Sequence, residues 1–338
     1  MKLKYYQIFA GLLLLGSCKN DFLAEVKEPT LEVSSPKTTY KVGDVIDFNI
    51  SGESDIITFY SGEPQSEFAY RDSHVVDVSS AGVNMNFNIA ATGNATSQGT
   101  LNATTPPQLT VWASTDLNDD YTPAGVQKAT WVDITSRFKY ATTATFISAS
   151  PTVGGVSVND LIKPGKPLYI GFRHETKPQA VAPPVGGITR SWLFEAFSMT
   201  SQKNISTNPN ATWMPQFYNL QQAGFRLVDM YGKAAPSRSL INATRLTLLG
   251  NLYDAVNDPG NDPNTVNWGI TRGMYFDKVD LGGDKGIALK DQAKDAALTN
   301  YSYTYTTPGI YKATFVATTN NATHRKEVVR EITITINP

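Results

Sequence analysis

The pattern of hydrophobic and polar positions along the chain predicts β-strands near both of its ends. In three of these runs, 45–52, 301–305 and 328–336, apolar and polar residues alternate, so that every second side chain shares one face, as in a half-buried strand; the other two are compact runs rich in β-branched and aromatic residues. The runs are residues 45–52, 56–60, 301–305, 311–317 and 328–336. Turn-forming pairs follow three of them: Ser-Gly at 61–62, Pro-Gly at 308–309 and Asn-Asn at 320–321.

The middle of the chain is also rich in strand patterns, with one less regular stretch. Runs of β-branched, aromatic and small residues predict strands at 108–114, 129–135, 167–173, 190–197, 267–270 and 286–290. Between 216 and 256 the periodicity is mixed, and residues 242–252 fit either a strand or a short helix. Residues 257–264 consist of Asn, Asp, Pro and Gly, which predicts a loop.

Composition indicates a folded β protein without a strongly charged surface. The 338 residues are enough for two or three domains, and 41% of them are apolar, which can fill a core. The 29 Lys and Arg residues against 30 Asp and Glu leave a net charge of -1, which argues against nucleic acid or anionic lipid as a partner. Low charge together with 16 Tyr and 15 Phe is typical of extracellular β-sandwiches.

The first 18 residues have the features of a lipoprotein leader. Lys2 and Lys4 precede an apolar run at 8–15 that is too short to span a bilayer, and small residues then lead into Cys18. This ending resembles the lipobox of bacterial lipoproteins, in which Cys18 would be acylated and become the new N-terminus. Cys18 is the only cysteine of the chain, so it has no disulfide partner within it. Lipidation would account for a single cysteine at this position. An ordinary signal peptide that contains a cysteine is the alternative.

We therefore expect a signal peptide at 1–17, a lipidated tether at 18–29 and attachment to a membrane through the acyl chains. Lys19 stands where an Asp would retain a bacterial lipoprotein at the inner membrane, which favours the outer membrane. The short charged run after Cys18 is similar to the surface-export signal of Bacteroidetes lipoproteins, although it contains few acidic residues. The expected location is the cell surface, with the periplasmic face as the alternative.

The two ends of the chain resemble the two halves of one domain. Aromatic and turn residues near the C-terminus have the spacing of the closing strands of a PKD-type immunoglobulin-like fold. They are Tyr305 (one residue out of step), Pro308, Gly309, Tyr311, Phe315 and Asn320. The resemblance implies one sandwich formed by residues 30–65 and 298–338, with residues 70–297 inserted between its strands.

The insert resembles a galactose-binding-like jelly roll. Its strand order has Trp-Val-Asp-Ile-Thr at 131–135, then Leu-Tyr-Ile-Gly-Phe at 168–172, then a Trp-containing strand at 190–197. With Ile-Thr-Phe-Tyr-Ser-Gly-Glu at 57–63, the chain resembles a Bacteroidetes lipoprotein family of unknown function, most weakly from about 200 to 265. Members of that family tend to accompany outer-membrane glycan-uptake systems of the starch-utilisation type. The resemblance implies an all-β fold, in which an immunoglobulin/PKD-like sandwich carries an inserted jelly-roll sandwich.

The sequence offers no recognisable catalytic motif. His74, His174 and His324 lie in separate segments without the spacing of a zinc site, and there is no nucleophile elbow or phosphate-binding loop. His174, between Arg173 and Glu175 at the end of a predicted strand, is the best candidate for an isolated polar site. An exposed strand-end cluster is the simpler interpretation, and we expect the protein not to be an enzyme.

Two Asp-rich segments are candidates for a structural calcium ion, which jelly rolls often carry. One provides Asp116, Asp119 and Asp120, and the other runs from 254 to 262. Oxygen ligands at short spacing suit a hard cation that takes six to eight of them. Neither segment fits the EF-hand pattern, and solvated turns are the alternative. No other cofactor is expected.

Aromatic residues in a loop form the candidate ligand-binding group. Residues 208–218 have loop composition and contain Trp213, Phe217 and Tyr218, while Tyr121 beside two aspartates is a second candidate. A large indole in a loop either fills a neighbouring core or meets a partner. The other tryptophans lie in strand patterns, and we expect a core position for Trp112, Trp131 and Trp192, whereas Trp268 fits either place.

These features predict a surface-anchored lipoprotein that binds glycan within a polysaccharide capture and uptake system, with Trp213 and its neighbours as a stacking platform. The alternative is a non-catalytic structural or interaction lipoprotein that packs on an outer-membrane transporter complex. In that case Trp213 would be buried in the protein's own core or at an interface.

Overall fold

The computed structural model describes residues 25–92, 107–176, 191–234, 236–250 and 264–338. Within these ranges the chain is all-β, which confirms the fold class predicted from the alternating patterns. The only α-helices there are short: α1 (Val78–Ala81), α2 (Pro123–Lys128) and α3 (Leu220–Ala223). No helix in the described ranges is long and apolar enough to cross a membrane. Cys18 lies outside these ranges.

The described strands are mostly short, and the longest are near the C-terminus. In chain order they are β1 (Glu32–Ser34), β2 (Thr39–Lys41), β3 (Val45–Ser51), β4 (Ile56–Tyr60), β5 (Val75–Asp77), β6 (Val83–Thr92), β7 (Leu109–Ser114), β8 (Val132–Asp133), β9 (Ile147–Ser148), β10 (Val156–Ser157), β11 (Tyr169–Thr176), β12 (Ser191–Ser201), β13 (Gln216–Asn219), β14 (Arg226–Asp229), β15 (Leu240–Ile241), β16 (Arg245–Leu249), β17 (Thr265–Ile270), β18 (Lys278–Asp280), β19 (Ile287–Lys290), β20 (Asn300–Thr304), β21 (Gly309–Asn320) and β22 (Arg325–Asn337).

The chain forms two compact units. The first comprises the described part of Met1–Asp72 together with Asn208–Ala211 and Gly283–Pro338, and the second comprises the described parts of Ser73–Thr207 and Thr212–Gly282. This division differs from the boundary placed at residue 298 from the sequence, because β19 pairs with β4 of the first unit.

The first unit is a sandwich of two sheets around an aromatic core. One sheet has the order β1-β3-β20 and the other β19-β4-β21-β22-β2, with every pair antiparallel except β2 and β22. Burial alternates strictly along β3, whose inward side chains are Ile46, Phe48 and Ile50. Phe48, Phe59 and Phe315 meet at ring-centroid distances of 4.8 to 5.9 Å, and burial of these rings supplies much of the unit's hydrophobic stabilisation.

The second unit is built around two larger sheets. One has the order β10-β6-β12-β16-β15, with β13 paired to β12 and β9 paired to β6, and the other has the order β14-β17-β11-β7-β8. The main core contains Phe87, Phe172 and Phe194, whose ring centroids are 4.3 to 5.8 Å apart. A separate pair, β5 and β18, completes the described strands of this unit. In the stretch with mixed periodicity, the structure has β13, α3, β14, β15 and β16.

Candidate functional site

The sheet that contains β11 has a smaller hydrophobic cluster on the side away from the main core. Ile170 and Phe172 of β11 face the main core, and Tyr169 faces the other way, because successive side chains of a strand alternate. The neighbouring strands β7 and β17 place Trp112 and Trp268 on that other side. The outer cluster consists of Leu117, Val126, Tyr169, Val228, Val266, Trp268 and Ile270, with the half-buried Trp112, Tyr121, Ala129, Trp131 and Met230 packed against it.

Three tryptophans of this cluster gather over Gly171; we call Trp112, Trp131 and Trp268 the tryptophan surface. The ring centroid of Trp131 lies 4.8 Å from that of the buried Trp268, and the ring centroid of Trp112 lies 6.3 Å from it. A Cβ atom at Gly171 would lie 2.8 Å from Trp268 and 3.1 Å from Trp131. Only glycine leaves room for both indoles at this point. Trp112 and Trp131 are half-buried, so part of each side chain is open to solvent.

Local hydrogen bonds hold the two half-buried indoles. The short helix α2 is capped by Thr122, whose hydroxyl accepts the Gly125 N–H, and the Trp131 Nε1–H donates to the Val126 carbonyl of that helix at 2.9 Å. The Trp112 Nε1–H donates to the Thr110 hydroxyl at 2.7 Å. Because both indole N–H groups are already used, a ligand would meet these residues through their ring carbons.

An ion pair lies on the same outward face, next to Trp268. Arg173 is the cross-strand neighbour of Trp268, and its Nη2 donates to the Glu175 Oε2 at 2.7 Å. The two side chains keep 25% and 22% of their surface exposed. The pair therefore presents N–H donors and carboxylate acceptors in a fixed position without adding net charge.

Tyr121 is the one predicted ligand-binding residue that the structure brings to the outer cluster. Its hydroxyl donates to Asp119 Oδ1 and to the Thr271 carbonyl, both at 3.1 Å, and the Arg226 guanidinium lies 4.7 Å from its ring centroid. Burial, followed by the hydrogen bond to Asp119, raises the pKa of Tyr121, so the phenol stays protonated at neutral pH.

The aromatic residues of the 208–218 segment are not at the tryptophan surface. Trp213 is 8% exposed, its ring packs edge-on against His74 at 4.7 Å, and its backbone N–H donates to Asn204 Oδ1 at 2.8 Å. Phe217 is buried in the main core, and Tyr218 is half-buried against that core. The burial of Trp213 matches the interpretation in which this indole fills the protein's own interior, and ligand binding by these three residues stays a prediction.

The aspartates of the predicted calcium site bond to their own surroundings. Asp116 Oδ1 accepts a hydroxyl and a backbone N–H, both at 2.8 Å, and Asp119 Oδ1 accepts two tyrosine hydroxyls at 3.1 Å. Asp120 Oδ1 accepts the Thr122 hydroxyl at 2.7 Å. Within the described ranges, no group of three or more His, Cys, Asp or Glu side chains is placed to hold a metal ion. The calcium site stays a prediction, and residues 254–262 lie outside those ranges.

His174 is not at an exposed strand end, which corrects the simpler interpretation of its sequence context. It lies on the inward side of β11 with no exposed surface, and its Nδ1 and Nε2 lie 3.3 Å from Asn267 Nδ2 and 3.4 Å from Thr176 Oγ1. Burial, followed by the nearby charge of Arg173, lowers the pKa of His174 to about 3. The imidazole is therefore neutral at neutral pH, and it faces away from the tryptophan surface.

Fold and site together define an all-β protein of two compact units with a partly open tryptophan cluster on the outer side of one sheet. The chain belongs to the family described as a domain of unknown function, DUF5017, whose model matches residues 17–225, more than half of the chain. No curated protein and no solved structure gives a significant match.

Proposed function

We propose that this protein is a lipid-anchored, non-catalytic glycan-binding protein and that the tryptophan surface is its binding site. The observation that carries the proposal is the pair of half-buried indoles, Trp112 and Trp131, that pack with Trp268 over Gly171. This replaces the segment 208–218 as the proposed stacking platform, because Trp213 is buried there.

The chemistry of the surface suits a sugar chain. An aromatic ring has a negative face, which attracts the weakly positive C–H groups on the apolar face of a pyranose ring. The hydroxyl groups at the edge of such a ring need both donors and acceptors, and the Arg173–Glu175 pair beside Trp268 supplies both. A site of few polar groups beside rigid aromatic ones is typical of small-molecule recognition.

The proposed setting follows from the leader and from the resemblance of the chain to Bacteroidetes lipoproteins. Acylation of Cys18 would hold the protein at the outer membrane, and Lys19 after it favours that membrane over the inner one. We place the protein on the cell surface, as a component that captures polysaccharide for a glycan-uptake system of the starch-utilisation type. The periplasmic face is the alternative location.

A second candidate function is that of an interaction lipoprotein that packs on an outer-membrane transporter complex. The burial of Trp213 favours this function over a sugar platform in the 208–218 loop. Under this alternative the half-buried tryptophans Trp112 and Trp131 would form part of a protein interface, where tryptophan is often the residue that contributes most to binding.

Affinity electrophoresis of residues 19–338 through gels that contain plant, host or microbial polysaccharides tests the two functions. We expect one polysaccharide to retard the protein, and Trp131→Ala or Trp112→Ala to weaken the interaction by about 2 kcal/mol, or roughly thirtyfold. Trp213→Phe is the matched control, because it changes a buried tryptophan away from the proposed site.

The control also decides where the site is. Retardation that is lost in Trp213→Phe and kept in Trp131→Ala would return the site to residues 208–218. If none of the polysaccharides retards the wild-type protein, glycan capture is rejected in favour of the interaction protein, and a crosslinking search for the protein partner would follow.

A further inference from the structure

The first unit has a cavity of its own on the outer side of its five-stranded sheet. The cavity has a volume of about 260 Å³, and its lining includes Thr58, Tyr60, Arg71, Thr318, Arg325 and Glu327. The floor comes from adjacent strands: Thr58 lies on β4, Thr318 on β21 and Glu327 on β22, where Glu327 is the cross-strand neighbour of Thr318. All of these residues belong to one compact unit.

The charged groups of the cavity are fixed and balanced. The Arg71 Nη1 lies 2.7 Å from Glu327 Oε1, and the Arg325 Nη2 lies 3.3 Å from Glu327 Oε2, so two guanidinium groups share one carboxylate. Arg71 is also held by the ring of Phe68, 4.5 Å from its guanidinium carbon, and it has Asp72 as a second acidic neighbour at 3.5 Å. Two cations and two anions leave no net charge, so the cavity does not select for a charged ligand.

Three side-chain hydroxyl groups line the cavity. Within the described part of the chain, the side-chain hydroxyls of Thr58, Tyr60 and Thr318 make no hydrogen bond. Burial raises the pKa of Tyr60, so this phenol keeps its proton and can donate. Thr318 is 5% exposed and lines the cavity, where its hydroxyl is open to water or to a ligand.

We propose that this cavity is a second binding site and that its ligand is one neutral sugar ring. Its volume is just below the range of about 300–1,000 Å³ that is typical of pockets for drug-sized ligands, which suits a single ring better than an oligosaccharide. A sugar presents several hydroxyl groups, each of which can donate and accept a hydrogen bond. The three hydroxyls of the cavity and the Arg71–Glu327 pair offer donors and acceptors to such groups. The half-buried ring of Tyr60 adds an aromatic side to the cavity.

This inference goes beyond the proposed function, because it concerns a different unit and depends on none of the tryptophans. All five tryptophans of the protein lie in the second unit, at residues 112, 131, 192, 213 and 268. The two sites can therefore fail or succeed independently.

Saturation-transfer NMR with the full mature chain tests the cavity. The probes are glucose, galactose, mannose, xylose, arabinose, fucose, rhamnose and N-acetylglucosamine, each as the free monosaccharide. We expect signal from at least one probe, and an affinity that falls about tenfold or more in the double variant Tyr60→Phe/Thr318→Val, which removes two hydroxyls and keeps the packing. Thr333→Val is the matched control, since Thr333 is exposed on β22 and does not line the cavity.

The combination of variants separates this site from the tryptophan surface. A signal that is lost in the double variant, and kept in Thr333→Val and Trp131→Ala, supports the cavity as the site. A signal that persists when the double variant also carries Trp131→Ala, so that neither proposed site is intact, overturns the proposal, as does the absence of signal from every probe. Neither of those outcomes affects retardation by polysaccharide, which depends on Trp112 and Trp131.

Discussion

Replacement of the buried His174 should change how the stability of the second unit depends on pH. The imidazole has no exposed surface, and burial lowers its pKa from 6.5 to about 3. In the unfolded chain the same group has an ordinary pKa of about 6.5. Between these two values the unfolded chain binds a proton that the folded chain does not, so acidification favours unfolding.

The size of the effect follows from this difference in proton binding. Above about pH 6.5 neither state is protonated at His174, and the residue adds no pH dependence. Below that value the free energy of unfolding falls by about 1.4 kcal/mol for each pH unit, until the pH approaches the folded pKa. A decrease from about pH 7.5 to about pH 5.5 should therefore cost about 1.4 kcal/mol through His174 alone.

Urea unfolding followed by tryptophan fluorescence measures this cost, because every tryptophan lies in the second unit and reports on it alone. The wild-type protein and His174→Gln are compared at each pH, since the glutamine can still form hydrogen bonds but takes up no proton. We expect the wild-type protein to lose about 1.4 kcal/mol more than the variant over this interval. His324→Gln should behave as the wild type in this assay, because residue 324 belongs to the first unit and the tryptophans report on the second. Equal pH dependence in the wild type and His174→Gln would show that the imidazole is not buried and neutral.

Three further substitutions test other parts of the structure. Gly171→Ala should destabilise the protein by about 1–3 kcal/mol and shift the tryptophan emission, because the new Cβ would lie 2.8 Å from Trp268; urea titration measures both. Tyr305→Phe should cost about 1–3 kcal/mol in the first unit, since the Ser61 carbonyl loses the buried hydroxyl that donates to it at 2.7 Å, and hydrogen-exchange mass spectrometry of that unit would detect the change. Cys18→Ala should move the protein from the membrane fraction to the soluble fraction, which immunoblotting of the two fractions would show.

The fold class was predictable because strand patterns are local. Alternation along 45–52 identifies a strand with one buried face, and the structure has β3 there with Ile46, Phe48 and Ile50 inside. The patterns at 56–60 and 311–317 are likewise part of β4 and β21. Between 216 and 256 the strands are only two to five residues long and a helix of four residues interrupts them, which is too short for either period to be recognised.

The tryptophan surface was less predictable than the fold class, because its exposure depends on which face of the sheet packs against the main core. In 108–114 the alternation puts Leu109 and Val111 on one side and Trp112 on the other. That contrast was the available signal that Trp112 lies outside the main core. The loop composition around Trp213 left open whether this indole is buried or meets a partner, and in the structure distant residues such as His74 cover it. The composition of a segment shows which environments its residues can occupy. Whether a side chain is buried depends on its contacts with residues that are distant in the sequence.

The strand β11 links the main core of the second unit to the proposed binding site. Its even-numbered residues, among them Phe172 and His174, face the main core, while Gly171 and Arg173 face the tryptophan surface. Because a one-residue shift in register would exchange the two sets, the aromatic core on one side also fixes the position of the indoles on the other. The imidazole of His174 does not contact the proposed binding site. It occupies one of the inward positions that fix the register of β11, and the register in turn fixes where the indoles lie.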